Sequence, residues 1–528
     1  MSLDLVIRNG TLIDGTGAPP ITGDLAVKGD RIVAIGKIEE KGETEIDAAG
    51  WYVTPGFIDI HSHSDYTLLI DPRAVSAIHQ GVTLEVIGNC GFGCGPIRDP
   101  ALAKGTIYGF DGSIPLSWNA LGEYLEKLEQ AAPAINVMTL VPNGQLRLSV
   151  VGMRDRPANP DELAKMKQLL CEGFNEGAFG YSTGLEYGAE RGATEAELCE
   201  MCGVVRQADG FYATHTRDRD HHALGAIDEA IRTAQKSQVQ LQISHLLPRM
   251  IGGGGAERAV EAVEQAADGG LDVAFDMHTR LYGTTYLNTI LPNWAVEEGR
   301  GILAQHLCSP ESRTRMKDYR SIVATGGWDR VVMLDNTAFP EYSRRNFGEI
   351  ARSLGRDPHD IAFDILQAEI DRLHRPMVLI LCYTEDDQAR IFAHPRCMPG
   401  SDATTLAPDG PLAQSMFHGA YSWASWFYRF MVRQRKLLSP AEAVHRLTGL
   451  PARTLRLAHR GALRAGAYAD ICVFDPDKFG ERSTTFEPNQ LAHGMHHVIV
   501  NGVATLCDGA LTGARAGHVL RKNHGVAA

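Results

Sequence analysis

Short apolar runs of strand character alternate with capped helical stretches through the middle of this chain. That alternation restricts the fold more than any other feature. The strand candidates are residues 56–61, 83–88, 136–141, 178–182, 211–215, 240–245, 272–277 and 397–401. Helix starts are readable between them. Asn159-Pro160-Asp161-Glu162 supplies a cap, a proline at the first helical position and an acid at the third. Thr194 with Glu197 and Ser439 with Glu442 have capping-box spacing, and Asp357-Pro358-His359-Asp360 is similar. Eight strands with helical crossovers predict a parallel barrel. Roughly 120 residues separate the seventh and eighth candidates, far beyond a barrel loop. An insertion at about 281–342 is expected there, placed to act as a lid.

The two ends have a different texture. Near the N-terminus, short β-rich runs are punctuated by Asn9-Gly10, Asp14-Gly15 and Gly29-Asp30; near the C-terminus by Asn501-Gly502 and Asp508-Gly509. Such dipeptides are strong hairpin signals. The ends also share a local pattern, Val6-Ile7-Arg8-Asn9-Gly10 and Val498-Ile499-Val500-Asn501-Gly502. We read 1–55 and 460–528 as one composite β-sandwich domain, and 56–459 as the barrel. The expected fold class is α/β, a TIM-like (β/α)8 barrel plus this small β domain.

Composition narrows the partners. Of 528 residues 44% are hydrophobic, enough for a large core and too many for a disordered chain. Lys and Arg number 51 against 64 Asp and Glu, a net charge of −13, with no basic block. Nucleic acid is therefore not an expected partner. No uninterrupted apolar run of about 18 residues exists, so no membrane span is expected. The aromatic stretch 416–431 is broken by His418 and Arg429 and reads as a buried helix. Met1-Ser2-Leu3-Asp4-Leu5 lacks the basic and apolar regions of a secretory signal. The ten cysteines show no disulfide framework, so reduced thiols in a cytoplasm are expected.

Chemistry in such a barrel gathers at the C-terminal ends of the strands. The first candidate ends in His61-Ser62-His63, two imidazoles two residues apart and so on one face. The second ends in Asn89-Cys90-Gly91, the fifth in His215, the sixth in His245 and the eighth in Ser401-Asp402. Any one of these is unremarkable alone, since a His or Cys on an apolar strand is usually packed core. Together they bring four imidazoles, a thiolate and a carboxylate to one mouth. That N, S and O donor set suits zinc. Cys94 also forms a Cys-x3-Cys spacing with Cys90, but the glycine-rich turn favours one thiolate and leaves Cys94 a bystander.

Thr54-Pro55-Gly56-Phe57-Ile58-Asp59-Ile60-His61-Ser62-His63 resembles the metal motif of the amidohydrolase superfamily. Gln80-Gly81-Val82-Thr83, Gly88-Asn89-Cys90-Gly91-Phe92 and Gly180-Tyr181-Ser182-Thr183-Gly184-Leu185-Glu186-Tyr187 are similar to the N-acyl-D-amino-acid deacylases (D-aminoacylases). Tyr212-Ala213-Thr214-His215, Gln242-Ile243-Ser244-His245, Ser401-Asp402, Leu447-Thr448-Gly449-Leu450-Pro451-Ala452 and Gly466-Ala467-Tyr468-Ala469-Asp470-Ile471 continue the likeness over most of the chain. The resemblance implies a β-sandwich joined to a metal-dependent barrel, and hydrolysis of a small-molecule amide. It implies a tight zinc on Cys90, His215 and His245. A second, weaker site would use His61, His63 and Asp402.

The chain departs from that pattern around the substrate. The place of a carboxylate-binding lysine is taken by Leu247, with Arg249 nearby. Asp276 is followed by Met277-His278-Thr279-Arg280 where a tyrosine-bearing stretch is usual, and Pro142-Asn143 stands where Gly-His is usual. Arg249 and Arg280 are the candidate replacements for the carboxylate clamp, because arginine binds a carboxylate bidentately. Asp402 is expected to take a proton from water and return it to the leaving nitrogen. Ser182, Thr183 and Tyr187 are expected to line the acyl or side-chain pocket, and His278 to bind substrate. The alternatives are a cyclic-amide hydrolase of hydantoinase or dihydroorotase type, an amidase for carboxylate-free amides, and a silent metal-binding protein on the same barrel. The bridging lysine of the cyclic-amide enzymes is absent, since Tyr181-Ser182 fills that region.

Overall fold

The eight strand candidates all form strands, and they associate into one parallel sheet in sequence order. The computed structural model describes residues 2–249, 255–373 and 375–522. The barrel strands are Phe57–Asp59, Val82–Ile87, Asn136–Pro142, Gly180–Gly184, Phe211–His215, Gln240–Ile243, Val273–His278 and Cys397–Gly400. The eighth returns beside the first. A parallel bridge joins Ser62 to Ala403, and the amides of Asp402 and His63 donate to the carbonyls of His61 and Ala403, each at 2.8 Å. This closure lays the ends of strands one and eight side by side. The fourth strand starts two residues later than its sequence pattern suggests. The Ala178 amide still donates to the Gly173 carbonyl at the end of the preceding helix, which holds it out of the sheet.

The helices begin where their caps stand. Asn159 and Glu162 form a reciprocal capping box ahead of Pro160–Asn175, as do Ser439 and Glu442 ahead of Pro440–Leu447. Thr194 caps Glu195–Gln207 through the amide of Glu197, without the reciprocal bond. Among the described residues no helix is long and apolar enough to cross a membrane.

Strands from both ends of the chain combine in a second sheet of nine strands. Ile471–Phe474 lies antiparallel to Tyr52–Pro55, which runs parallel to the end of Leu3–Leu12. Their inward faces, Leu5, Ile7, Leu25, Val27, Val53, Ile471, Val473 and Ile499, pack into one apolar cluster. Asp470 ties this sheet to the barrel. Its carboxylate accepts from Arg460, from the Asn501 amide at 2.8 Å and from Asn136 Nδ2 at 3.4 Å, while its carbonyl accepts from Gly56 at 2.8 Å. Asn136 opens the third barrel strand and Asn501 sits in the C-terminal hairpin turn.

The excursion between strands seven and eight is longer than the 281–342 segment expected from sequence. It contains a three-stranded antiparallel sheet of Tyr282–Tyr286, Val331–Met333 and Met377–Leu381, with the last strand in the middle. Helices Phe347–Leu354 and Pro358–Ala368 precede that central strand. Read from sequence they pass for barrel helices, which hid the true end of the excursion.

Removing one partner of a buried ion pair costs about 3–5 kcal/mol. Asp470 and Arg460 are 6% and 5% exposed, so Asp470→Ala is expected to lower unfolding stability by about that amount. Urea denaturation measures it; a loss under about 1 kcal/mol would contradict the tie between sheet and barrel.

Candidate metal centre

The six donors named from sequence converge at the C-terminal end of the barrel. Three of them end their strands in the left-handed backbone region, with φ of 52° at Cys90, 36° at His245 and 44° at Asp402. For residues other than glycine this conformation costs about 1–3 kcal/mol each and clusters at functional sites. The turn that aims Cys90 depends on close backbone approaches. A Cβ at Gly184 would lie 2.0 Å from the Cys90 carbonyl oxygen, and one at Gly88 would lie 2.4 Å from that of Leu140. Asn89 shapes the same turn by donating to the Val86 carbonyl at 2.9 Å.

The donors form two groups that share Cys90: His61, His63, Cys90 and Asp402 in one, and Cys90, His215 and His245 in the other. His61 Nε2 lies 3.1 Å from Cys90 Sγ and 3.6 Å from Asp402 Oδ1. His63 Nε2 is 3.2 Å from Asp402 Oδ1, and His245 Nε2 is 3.6 Å from Cys90 Sγ. Ligands around a tetrahedral zinc, at about 2.0 Å for nitrogen and 2.3 Å for sulfur, stand about 3.3–3.7 Å from one another. The donor spacing fits such an ion, and the shared thiolate suits a bridged pair.

Carboxylates behind the donors fix their orientation, as metal-binding histidines require. Asp276, 1% exposed, accepts from His61 Nδ1 at 3.0 Å, from the His245 amide at 2.8 Å and from Gln242 Nε2 at 2.7 Å. Held through Nδ1 by Asp276, the His61 ring turns Nε2 toward Cys90. Glu186 accepts from His215 Nε2 at 2.8 Å, which leaves Nδ1 of that ring as its lone-pair nitrogen. Neither Asp276 nor Glu186 was singled out as a site residue from sequence.

The electrostatics differ from donor to donor: burial would lower His61, but the Cys90 and Asp276 charges overcome it and hold the ring well above the usual histidine range. Burial pushes His215 down to about 4 and His245 well below the usual histidine range, so both are neutral imidazoles. Burial pushes the Cys90 thiol up to about 11, so a thiolate there needs a positive partner. Burial alone would raise Asp402, but the His63 hydrogen bond and the Arg280 charge overcome it and hold the carboxyl well below its ordinary value. Glu186 is likewise raised by burial, yet Arg249 and His215 bring it down to about 2.

The structure reassigns several expected pocket residues. Arg249 lines the cavity as expected, but its guanidinium is already paired, with Glu186 and with Asp220 at 2.9 Å. It backs His215 through Glu186. Arg280 is also engaged, donating to Asp402 Oδ2 at 3.0 Å and to the carbonyls of Ser401, Asp402 and His418. Ser182 donates to the Gly88 carbonyl and accepts from the Gly91 amide at 3.1 Å, so it shapes the Cys90 turn. Thr183 points to the opposite face of its strand, to Thr214 Oγ1 at 2.8 Å and Tyr212 Oη at 3.0 Å. Tyr187 does line the cavity, with its hydroxyl 3.4 Å from His215 Nδ1, and so does His278.

Sequence reading also missed residues that build the cavity from outside the barrel strands. Tyr108 and Phe417 line it, and Tyr286 stacks on Tyr108 at 5.9 Å. Arg219 lies four residues beyond His215, and Tyr383 follows the central strand of the excursion; both line the same cavity. The polar loop holding Arg219 carries no periodic signal. Tyr383 is more than a hundred residues from the nearest barrel strand before it, so only the folded excursion reveals it.

A parallel barrel that gathers N, S and O donors around one shared thiol at its mouth has the makings of a metal-dependent enzyme. The chain belongs to the amidohydrolase family, whose profile matches residues 44–329 and 400–506. It is 32% identical to a D-aminoacylase of Alcaligenes xylosoxydans xylosoxydans, over 98% of each chain. It is also 32% identical to an N-acyl-D-aspartate deacylase of that organism, over 98% of this chain and 95% of the other. The structure of an N-acyl-D-glutamate deacylase from Bordetella bronchiseptica, complexed with zinc and a phosphonate inhibitor that mimics the tetrahedral intermediate, superposes with a TM-score of 0.81. That protein is 29% identical over 99% of this chain and 100% of the other.

Because Cys90 belongs to both donor groups, Cys90→Ala is expected to empty both, whereas His63→Ala should lose only the ion of its own group. Metal content after exhaustive dialysis distinguishes them; equal retention in the two variants would refute the shared thiolate. Glu186→Gln should weaken the ion on His215 by about 10–100-fold.

Proposed function

We propose that this protein is a zinc-dependent deacylase that removes the acyl group from N-acyl-D-amino acids. The observation that carries the reading is the pair of donor groups meeting at Cys90, with Asp402 on the cavity side. The relatives named above act on N-acyl-D-amino acids, which supports the substrate class. In this reading residues 56–459 form the catalytic barrel, and 1–55 with 460–528 form the composite β domain.

Cys90, His215 and His245 would hold the tighter ion, and His61, His63 and Asp402 with the same thiolate a second. Zinc bound there supplies Lewis acidity, bringing the pKa of a bound water near neutrality and polarising the amide carbonyl. Asp402 is the proton carrier. Its side chain is 20% exposed toward the cavity, and Arg280 fixes Oδ2 while His63 lies 3.2 Å from Oδ1. Held as a carboxylate, it takes the proton of the attacking water and delivers it to the amide nitrogen, which leaves poorly unless protonated. His278 assists as a hydrogen-bond donor. Its Nδ1 accepts the Arg280 amide at 3.3 Å, and burial keeps the ring neutral, so the ring proton is on Nε2. That group suits the carbonyl oxygen as negative charge develops on it.

Ring opening of a cyclic amide fits less well. The bridging place between the two donor groups is filled by the Cys90 thiol, and the fourth-strand Ser182 is tied to its neighbours.

Asp402→Asn is expected to lower kcat on N-acetyl-D-amino acids by at least about 100-fold. The zinc on Cys90, His215 and His245 should be retained. Chelation should abolish activity and added zinc restore it. Full activity in the Asp402→Asn protein, or in the chelated one, would refute the mechanism.

A further inference from the structure

Arg147, Arg219, Arg249, Arg280, Arg446 and Arg460 are the buried arginines among the described residues. Four of them face a carboxylate: Arg147 with Glu197, Arg249 with Glu186 and Asp220, Arg280 with Asp402, and Arg460 with Asp470. Arg446 lies on the outer helix Pro440–Leu447. Arg219 differs from all of these. It lines the metal cavity, is 7% exposed, and has no carboxylate within ion-pair distance among the described residues. A buried cation without a counter-charge is expensive, so the site is built for an anion that is not part of the protein.

The geometry says which part of the guanidinium is free. Arg219 Nη2 is anchored, donating to the carbonyls of His245 at 2.7 Å and Leu247 at 3.3 Å and to the Tyr383 hydroxyl at 2.6 Å. Nε and Nη1 have no acceptor among the described residues. The Tyr383 hydroxyl accepts from Arg219, so its own proton is available, and no described residue accepts it. Tyr383 is 6% exposed and held at the mouth by its amide, which donates to Leu281 at 3.0 Å, and by its ring, 5.5 Å from that of His278. One fixed guanidinium and one free hydroxyl proton thus converge beside two metal donors, His215 and His245. Both two-pronged faces of a guanidinium include Nη2, so with Nη2 anchored an anion takes one charge-assisted hydrogen bond from Nε or Nη1, and the Tyr383 hydroxyl supplies a second; the two oxygens of a carboxylate can accept both.

We propose that Arg219 and Tyr383 bind the carboxylate of the N-acyl-amino-acid substrate and set the preference for acids over plain amides. This rests on the deacylase reading. It replaces Arg249 and Arg280, whose guanidinium groups are already neutralised within the protein.

The test compares an N-acetyl-D-amino acid with the N-acetyl amine that lacks only its carboxylate, using zinc-loaded protein. Wild type should favour the acid. Arg219→Met should lower kcat/KM for the acid by about 100-fold, mainly through KM, and collapse its advantage over the amine. Arg219→Lys should recover part of it, and Tyr383→Phe should cost about 10-fold in the same sense. A purely structural arginine would lower both substrates equally, which would overturn the proposal. Calorimetric binding of the same acid to Asp402→Asn protein, with and without Arg219→Met, gives a readout independent of turnover; equal affinities would also overturn it. A wild-type enzyme that cleaves only the carboxylate-free amide overturns the clamp and leaves amide hydrolysis standing. One that cleaves neither compound but binds the acid through Arg219 overturns the deacylase reading and leaves the clamp.

Discussion

One buried thiol belongs to two sets of metal donors, and the rest of the barrel mouth is arranged around that sharing. Cys90 Sγ must stand within coordination spacing of imidazoles from the first and sixth strands, with His215 of the fifth completing one group and Asp402 of the eighth the other. No regular strand end can present so many groups to one point. The chain meets the requirement by turning Cys90, His245 and Asp402 into the left-handed region. Several kcal/mol of backbone strain are held there by the surrounding hydrogen bonds. Burial raises the Cys90 thiol to about 11, which makes thiolate formation and metal binding one event.

The same low-dielectric mouth governs how the arginines are used. Every carboxylate that orients a donor needs neutralising or hydrogen-bonding neighbours, or burial would protonate it. Asp276 obtains this from His61, Gln242 and a backbone amide. Glu186 obtains it from Arg249 and His215, and Asp402 from Arg280 and His63. Arg249 and Arg280 are therefore parts of the metal centre's charge balance. Taking either away to hold a substrate would leave a buried carboxylate uncompensated.

This explains which features could be read from sequence. The barrel was legible because strands and capped helices have their own periods and punctuation. The six donors were legible because each is a metal-binding residue type at a strand end. What a long side chain pairs with was not, since the partner is chosen in three dimensions. Arg249 finds Glu186 across 63 positions, and Arg280 finds Asp402 across 122. Thr183 was misjudged because the fourth strand runs through it to Gly184, so its side chain alternates to the face opposite Ser182. The excursion was cut short because its central strand comes last, after two ordinary helices.

The candidate donors lie at barrel strand ends, whereas the proposed carboxylate clamp joins a barrel loop to the excursion. All six donors lie in the stretches matched by the family profile, 44–329 and 400–506, and Tyr383 falls in the gap between them. The barrel positions its donors through backbone hydrogen bonds that would be disturbed by any change of length. The excursion is fastened to the barrel mouth by Gln388, which donates to the carbonyls of His278 at 3.1 Å and of Arg280, while the Leu281 carbonyl accepts from Cys382 and Tyr383 at 3.0 Å within the excursion itself. Arg219 stands at the junction: its carbonyl and guanidinium are bound to the loop after His245, while its hydrogen-bonded partner Tyr383 belongs to the excursion. In the proposed reading, selectivity for the acid therefore depends on the contact between that loop and the excursion, while the six donors stay on the barrel strands.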